Sequence, residues 1–451
     1  MVPNGSLPPH PPLPGWLQAV ALSLAPVRFL RACRRRYGGA VRLSPLFDSG
    51  FVMVFDRDLI EQVFRAPPDR LHSGELKMAL APLLGRSSVV VLDGEEHLRK
   101  RRLLLPAFHG ELMRAYEAVM REATDRAIDS WPVGKPFALL PSMRSLTLEV
   151  IARAVFGVEP GPRQEQLKDR VRAMVDPAAL AAPSPTRWRA VMLAMTGRFG
   201  SVDRYRLTRI RALADELIYD EIAQRRKAPN LQQRQDVLSQ LLLARDDDGR
   251  GMSDEELRGE LVTLLLAGHE TTAISLGWAF ELLLRHPAEL NRLEAELARG
   301  EADYLNAVIK EVLRLRPVIT GVSRVVGQAP FVLGDHVLPA GTELRSSISA
   351  VHRGDRYPNP DAFRPERFLA ADSPDIYTWL PFGGGTRRCL GASFATFEMS
   401  VVIRRVLERT RLLPMGRRPE RSVRNRMTSR NGLLAVPERG VRVIQAQAPR
   451  P

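Results

Sequence analysis

Cysteine is nearly absent: Cys33 and Cys389 are the only two in 451 residues. That excludes a disulfide framework and suits a reducing compartment. Aromatic residues make up only 6% of the chain. No apolar run reaches the roughly 20 residues that a bilayer span needs. The nearest, Trp16 to Leu30, is broken by Pro26 and Arg28. The N-terminus has neither the basic start nor the long apolar core of a signal peptide. No linker divides the chain, so one large domain over 28–451 is expected, behind a proline-rich flexible segment, 1–27.

What is present is apolar content of 45% and a formal charge of +15. The first is ample for a large core. The second could indicate nucleic acid, an anionic membrane or an acidic protein. The basic residues are spread through predicted helices and form no single arm, which argues against nucleic acid.

The stretch Phe382-Gly-Gly-Gly-Thr-Arg-Arg-Cys-Leu-Gly391 sets Phe382, Gly385, Arg387, Cys389 and Gly391 at spacings of three, two, two and two. An isolated cysteine is most often a small buried apolar side chain. Three glycines and two arginines make a poor apolar core. Glycine lets backbone approach a flat group closely, and Arg387 offers a planar cationic fork. A helix is predicted from Ala392 to Glu408, so Cys389 lies at its start, where the helix dipole favours a thiolate.

The rest of the chain reads as mostly helical. Short strands are expected at 41–43 and 51–55, with 71–92 as a loop. Helices are expected at 28–36, 58–64, 94–105, 111–131, 142–156, 163–174, 203–227, 236–244, 288–298 and 304–315. Phe331 to Ser347 reads as a β-hairpin turning at Pro339-Ala-Gly341, and 421–444 as a small β-rich end. Cys33 reads as an exposed or half-buried thiol without a role. The longest helix opens with the capping box Ser253-Asp-Glu-Glu256 and stops before Pro287. In its middle stands Ala267-Gly-His-Glu-Thr-Thr272, a poor helix-forming run. Threonine hydroxyls bonding back one turn predict a local distortion there.

Together these motifs resemble the cytochrome P450 family of haem-thiolate monooxygenases over roughly residues 30–445. The resemblance implies a mainly α fold with small β-sheets, a long central helix over the haem and the thiolate loop beneath. It makes haem b (iron protoporphyrin IX) the cofactor and Cys389 its axial ligand. His97, Arg101, Arg324 and Arg387 would hold propionates, and Phe382 and Gly391 would also belong to the haem-binding site. Thr271 and Glu270 would serve oxygen activation and proton delivery, while Ala267 and Gly268 leave room above the haem. His269 is a variable position and is not read as a ligand. Glu311, Arg314 and Arg367, the last within Pro365-Glu-Arg-Phe368, would form a structural triad.

The implied reaction inserts one atom of dioxygen into an apolar substrate, a fatty acid, terpenoid or steroid-like molecule. A pocket from Leu84, Val89, Leu264, Ala267, Gly268, Val318 and Ile319 is expected. A lid made of the helices at 163–174 and 203–227 and their connection would add Leu180, Trp188, Val191, Met192 and Met195, with Arg86 or Arg187 meeting a carboxylate. No flavin or iron–sulfur segment accompanies the motif. An acidic ferredoxin or flavodoxin-type protein with its reductase would therefore supply electrons, docking near Arg99, Lys100, Arg102 and Arg388. Without the anchor of eukaryotic members, a bacterial cytoplasmic protein is expected, with loose membrane contact through Trp16 to Leu30 left open. Competing readings are a peroxide-dependent hydroxylase or isomerase, and a non-enzymatic haem sensor.

Overall fold

The computed structural model describes residues 6–45, 50–110, 112–157, 161–163, 165–166, 169–170, 201–416, 422–424, 435–437 and 441–446. Of the expected lid, the connection and most of the helix at 163–174 lie outside the described residues, as do the turns near 48, 431 and 440, whereas the second helix of that lid is present at Ser201–Arg226.

Helices dominate. They are α1 (Gly15–Leu24), α2 (Pro26–Tyr37), α3 (Arg57–Arg65), α4 (Ala81–Leu84), α5 (Gly94–Leu104), α6 (Leu112–Asp129) and α7 (Leu139–Phe156). There follow α8 (Ser201–Arg226), α9 (Val237–Leu243), α10 (Asp254–Arg285), α11 (Pro287–Ala298), α12 (Asp303–Leu315), α13 (Ile348–Val351) and α14 (Ala392–Arg409).

The 32-residue α10 is the axis of the molecule, about 48 Å long at 1.5 Å per residue. Its start is fixed by both halves of the capping box. Ser253 Oγ accepts the Glu256 amide at 3.2 Å, and Glu256 Oε2 accepts the Ser253 amide at 2.8 Å. Pro287 supplies N1 of the next helix, a position where its missing N–H costs nothing. The predicted distortion does not interrupt α10. Thr271 Oγ1 does donate to the Ala267 carbonyl at 2.7 Å, yet helical geometry continues through it. Helix α10 packs along α7 and against α12 and α14, and α14 also packs on α6. These contacts enclose the main apolar cluster, which includes Trp278, Phe280, Ile151, Met143 and Val402.

A five-stranded sheet lies at the other end, in the order β1 (Ala40–Leu43), β2 (Phe51–Val54), β8 (Glu343–Ser346), β5 (Val322–Val326), β3 (Leu71–His72). β2 and β8 are parallel, with Val52 opposite Leu344, and β5 runs antiparallel to β8, with Arg324 opposite Leu344. The expected hairpin is therefore corrected. It closes at Gly334, between β6 (Phe331–Leu333) and β7 (His336–Leu338), and residues 343–346 leave it to join the larger sheet. The positive φ of Gly334, 58°, makes this the tighter turn.

The N-terminal segment also departs from expectation. Residues 6–14 lack regular structure but are tied down, with Pro9 accepting from the Arg42 amide at 2.9 Å. Residues 15–24 form a helix whose Gln18 is buried and binds Leu13 O and the Ser44 amide. Cys33 is buried among Leu30, Val41 and Phe51, and burial pushes its thiol up to about 11.

Candidate functional site

Cys389 sits two residues after the turn 385–387 and just before Gly391, the N-cap of α14. Its amide donates to Phe382 O at 2.9 Å. The side chain is exposed, yet burial is the main influence on the thiol and pushes it up, opposed by the Gly391 amide, Arg101 and Arg388. Protein thus surrounds the sulfur while leaving its surface accessible.

The loop glycines have a further reason to be there. A Cβ on Gly384 would come within 2.5 Å of the Phe64 ring, and one on Gly385, at φ +65°, within 1.9 Å of Phe64 O. They let the cysteine loop lie flat on α3. Phe382 packs edge-on against Trp379, with ring centroids 6.0 Å apart.

Glu311, Arg314 and Arg367 are brought together in one cluster. Glu311 and Arg314 are fully buried and paired at 2.6 Å and 2.9 Å, and Arg367 Nε reaches Glu311 Oε1 at 3.1 Å. Arg314 also donates to His352 O at 2.7 Å and Pro360 O at 2.8 Å. The sequence reading missed His352. Its ring Nε2 accepts the Leu380 amide at 2.7 Å, and its Nδ1 lies 3.0 Å from Arg314 O. An acceptor at Nε2 leaves Nδ1 as the protonated nitrogen. Burial pushes this imidazole down to about 3, so it is neutral. Leu380 O in turn accepts from Gly383 N at 3.0 Å. The triad is thus wired through His352 to the start of the cysteine loop.

A second cluster gathers His97, Arg101, Arg324 and Arg387 with two residues that sequence reasoning missed, Lys77 and Asp93. Arg387 donates to Asp93 and to the carbonyls of Leu92 and Val89, the last at 3.2 Å. Asp93 also accepts the Ser73, Gly74 and Glu75 amides. Burial opposes its ionisation, but these amides and Arg387 hold the carboxyl below its usual value. Burial, then Arg324 and Arg387, push Lys77 down to about 8; burial, then Arg387, push Arg324 down to about 10. His97 is buried, and burial with Arg387 and Arg101 lowers it to about 3. Arg101 lies a little apart and donates to Arg388 O at 2.6 Å. Arg387 bonds the single carboxylate of Asp93, and Lys77 and Arg324 stand within its electrostatic reach. That excess of positive charge, buried at Arg324 and half-buried at Lys77 and Arg387, fits a group carrying two further carboxylates, as haem does with its propionates.

On α10, Leu264, Ala267 and Thr271 keep accessible surface, although the flanking turns, 257–263 and 272–284, are buried. Spaced by three and four, they share one helix face. Gly268 does not open space on it, since its Cβ would point at Ile151 of α7, 3.0 Å away. This glycine serves helix packing. Glu270 is bound by Arg144 of α7 at 2.8 Å and 2.5 Å, a partner the sequence did not reveal.

Of the other expected pocket residues, Ile319 is partly buried, whereas Leu84, Val89 and Val318 belong to the buried core. The loop carrying Val89 is clamped from both sides. Its amide donates to Glu260 of α10 at 2.8 Å, and its carbonyl accepts from Arg387. The proposed docking residues divide as well. Arg102 and Arg388 are exposed. Arg99 is paired with Asp246 at 2.5 Å, and buried Lys100 is paired with Glu256.

Comparison with known proteins agrees with this arrangement. The family model described as Cytochrome P450 matches residues 7–441. The chain belongs to the cytochrome P450 family. A Mycobacterium tuberculosis protein named cytochrome P450 135B1 is 40% identical over 448 residues, covering 97% of this chain and 91% of that one. Another from the same species, named cytochrome P450 138, is 39% identical, covering 97% and 96%. Among solved structures, CYP175A1 from Thermus thermophillus superposes with a TM-score of 0.72 at 26% identity, covering 96% of this chain and 98% of that one. The retinoic acid bound cyanobacterial CYP120A1 gives 0.78 at 23% identity, covering 98% and 99%. As a cytochrome P450 the chain is a haem-thiolate monooxygenase, with iron protoporphyrin IX held by a cysteine as its cofactor. Among the described residues, no helix is long and apolar enough to cross a membrane.

Proposed function

We propose that this cytochrome P450 oxygenates an apolar substrate of lipid or terpenoid size, with Cys389 as the axial ligand. The observation that carries the reading is the accessible face of Leu264, Ala267 and Thr271, bracketed along the helix by the buried turns 257–263 and 272–284. Two of its three side chains are apolar, so a molecule lying on it gains by losing water, and Thr271 places one hydroxyl there. Haem held by a thiolate supplies the centre that cleaves the O–O bond.

The chain's own groups do the rest. Thr271, its proton given to Ala267 O, keeps lone pairs to accept from the reacting oxygen's side. Glu270, held by partly exposed Arg144, is the acid for proton delivery. Lys77, Arg324 and Arg387 would balance the propionate charge, and His97, neutral because burial lowers it to about 3, would contribute a ring N–H. Electrons come from a separate acidic ferredoxin or flavodoxin-type protein with its reductase, docking where Arg102 and Arg388 are exposed, and the protein works in the bacterial cytoplasm.

The test is a spectral-shift screen of fatty acids, sesquiterpenes and steroids, followed by turnover with surrogate redox proteins. Thr271→Ala should bind the same compounds but divert reducing equivalents to peroxide. Shifts and turnover with small, highly polar compounds alone would overturn the substrate class.

A further inference from the structure

Among the described residues, exposed large apolar side chains concentrate in one stretch of the chain, far from Cys389 in sequence. Of the fourteen large apolar side chains exposed among the described residues, five fall between residues 7 and 24: Leu7, Leu13, Trp16, Val20 and Leu24. Helix α1 contains no charged residue. Trp16, Val20 and Leu24 follow one another every four residues, so they form a single stripe along it. They are 55%, 45% and 81% exposed. The opposite face is committed inward, through buried Gln18 and through Leu22, which packs on the small cluster around Leu30 and Phe51. The helix therefore cannot roll to hide its stripe.

The next helix is its electrostatic complement. α2 carries Arg28, Arg31, Arg34, Arg35 and Arg36 and no acid. Arg31 and Arg34 are used internally, in ion pairs with Asp361 at 3.2 Å and Asp355 at 2.9 Å. Arg28, Arg35 and Arg36 are exposed and lie within one face of α2, at intervals of seven and one. An apolar stripe that includes a tryptophan, directly followed by an arginine face, has the composition of an interfacial helix that lies in the headgroup plane of a membrane.

We propose that the α1–α2 pair docks this cytochrome P450 on an anionic lipid surface. Trp16, Val20 and Leu24 enter the headgroup–acyl boundary, and Arg28, Arg35 and Arg36 meet lipid phosphates. A second copy of the chain fits less well, because a two-fold contact through this patch sets arginine against arginine. Burial of apolar side chains and attraction to anionic headgroups act together, since either alone gives only weak, reversible attachment.

The experiment is flotation of the purified holoprotein with phosphatidylcholine vesicles, with and without phosphatidylglycerol, at low and high salt. Wild type should float with the anionic vesicles, and salt should weaken it. The double variant W16S/L24S should stay in the soluble fraction. R28E/R35E should bind at least tenfold more weakly, given about fivefold for each basic residue near an anionic surface. Thermal melts and the ferrous carbonyl spectrum of both variants show that the fold is kept, as expected for changes at exposed positions. Failure of wild type to float, or flotation unchanged in W16S/L24S, overturns the proposal. So does light scattering that shows a dimer of wild type and a monomer of W16S/L24S, because the stripe would then be a subunit interface.

Discussion

His352 holds the Leu380 amide through Nε2 at 2.7 Å while its Nδ1 faces the Arg314 carbonyl at 3.0 Å. One neutral imidazole thereby joins the end of α12 to the approach of the cysteine loop. Two backbone groups that no water reaches depend on it.

Replacing His352 by Phe should leave both backbone groups unpaired, at about 1–3 kcal/mol each. The ferrous carbonyl complex should lose its thiolate-type band at lower denaturant than wild type, with His352→Asn falling between the two. Equal denaturant midpoints for wild type and His352→Phe would show that the bridge does not position the loop.

The same residue gives a pH dependence. Its folded-state value, about 3, lies below the ordinary 6.5. The unfolded chain therefore takes up a proton first as pH falls. The stability His352 contributes is complete above about pH 6.5 and is lost progressively between there and pH 3, at no more than about 1.4 kcal/mol per pH unit. His97 is depressed in the same direction and adds to the slope. Unfolding midpoints measured from pH 7 to pH 4 should fall less steeply in His352→Asn than in wild type.

Glu311→Ala should give little holoprotein. Removing this carboxylate strands the buried Arg314 and the Arg367 guanidinium, and breaking a buried pair costs about 3–5 kcal/mol. Haem content per purified chain and the melting temperature measure the loss. A stable, haem-replete Glu311→Ala protein would rule out a bracing role for the triad.

Lys77→Met should weaken cofactor retention. Lys77, Arg324 and Arg387 share one carboxylate, and a charge-assisted hydrogen bond contributes about 1.5–3 kcal/mol. Haem loss to an apoprotein acceptor should quicken by at least about tenfold, with the carbonyl spectrum unchanged. An unaltered rate would place Lys77 away from the propionates.

Charge reversal should separate docking from stability on α5. Arg102→Glu, at an exposed position, should slow reduction by an acidic partner and reduce its salt dependence, with the melt unaffected. Lys100→Glu, at a buried position paired with Glu256, should lower the melting temperature. Reduction rates insensitive to Arg102→Glu and to salt would move the docking face elsewhere.

Local chemistry was legible wherever neighbours in sequence are neighbours in space. The capping box of Ser253 and Glu256, the pair Glu311 and Arg314, and the spacing around Cys389 each lie within a few residues, and helix geometry or loop length alone brings them together. The long helix followed from its apolar run and its two punctuation marks, Ser253 and Pro287.

Tertiary structure decided what depends on distant segments. Asp93 meets Arg387 across 294 residues, Arg144 meets Glu270 across 126, and His352 reaches Leu380 from another loop. No periodicity encodes such pairs, because nothing in the chain between them fixes their distance. The same limit explains Gly268 and Gly384, whose small size answers to Ile151 and Phe64. It also explains Leu84, Val89 and Val318, apolar residues that packing assigned to the core. A sequence shows that a side chain is small, apolar or charged. Only the packed chain determines which neighbour it meets, since burial and pairing are properties of surfaces that come together on folding.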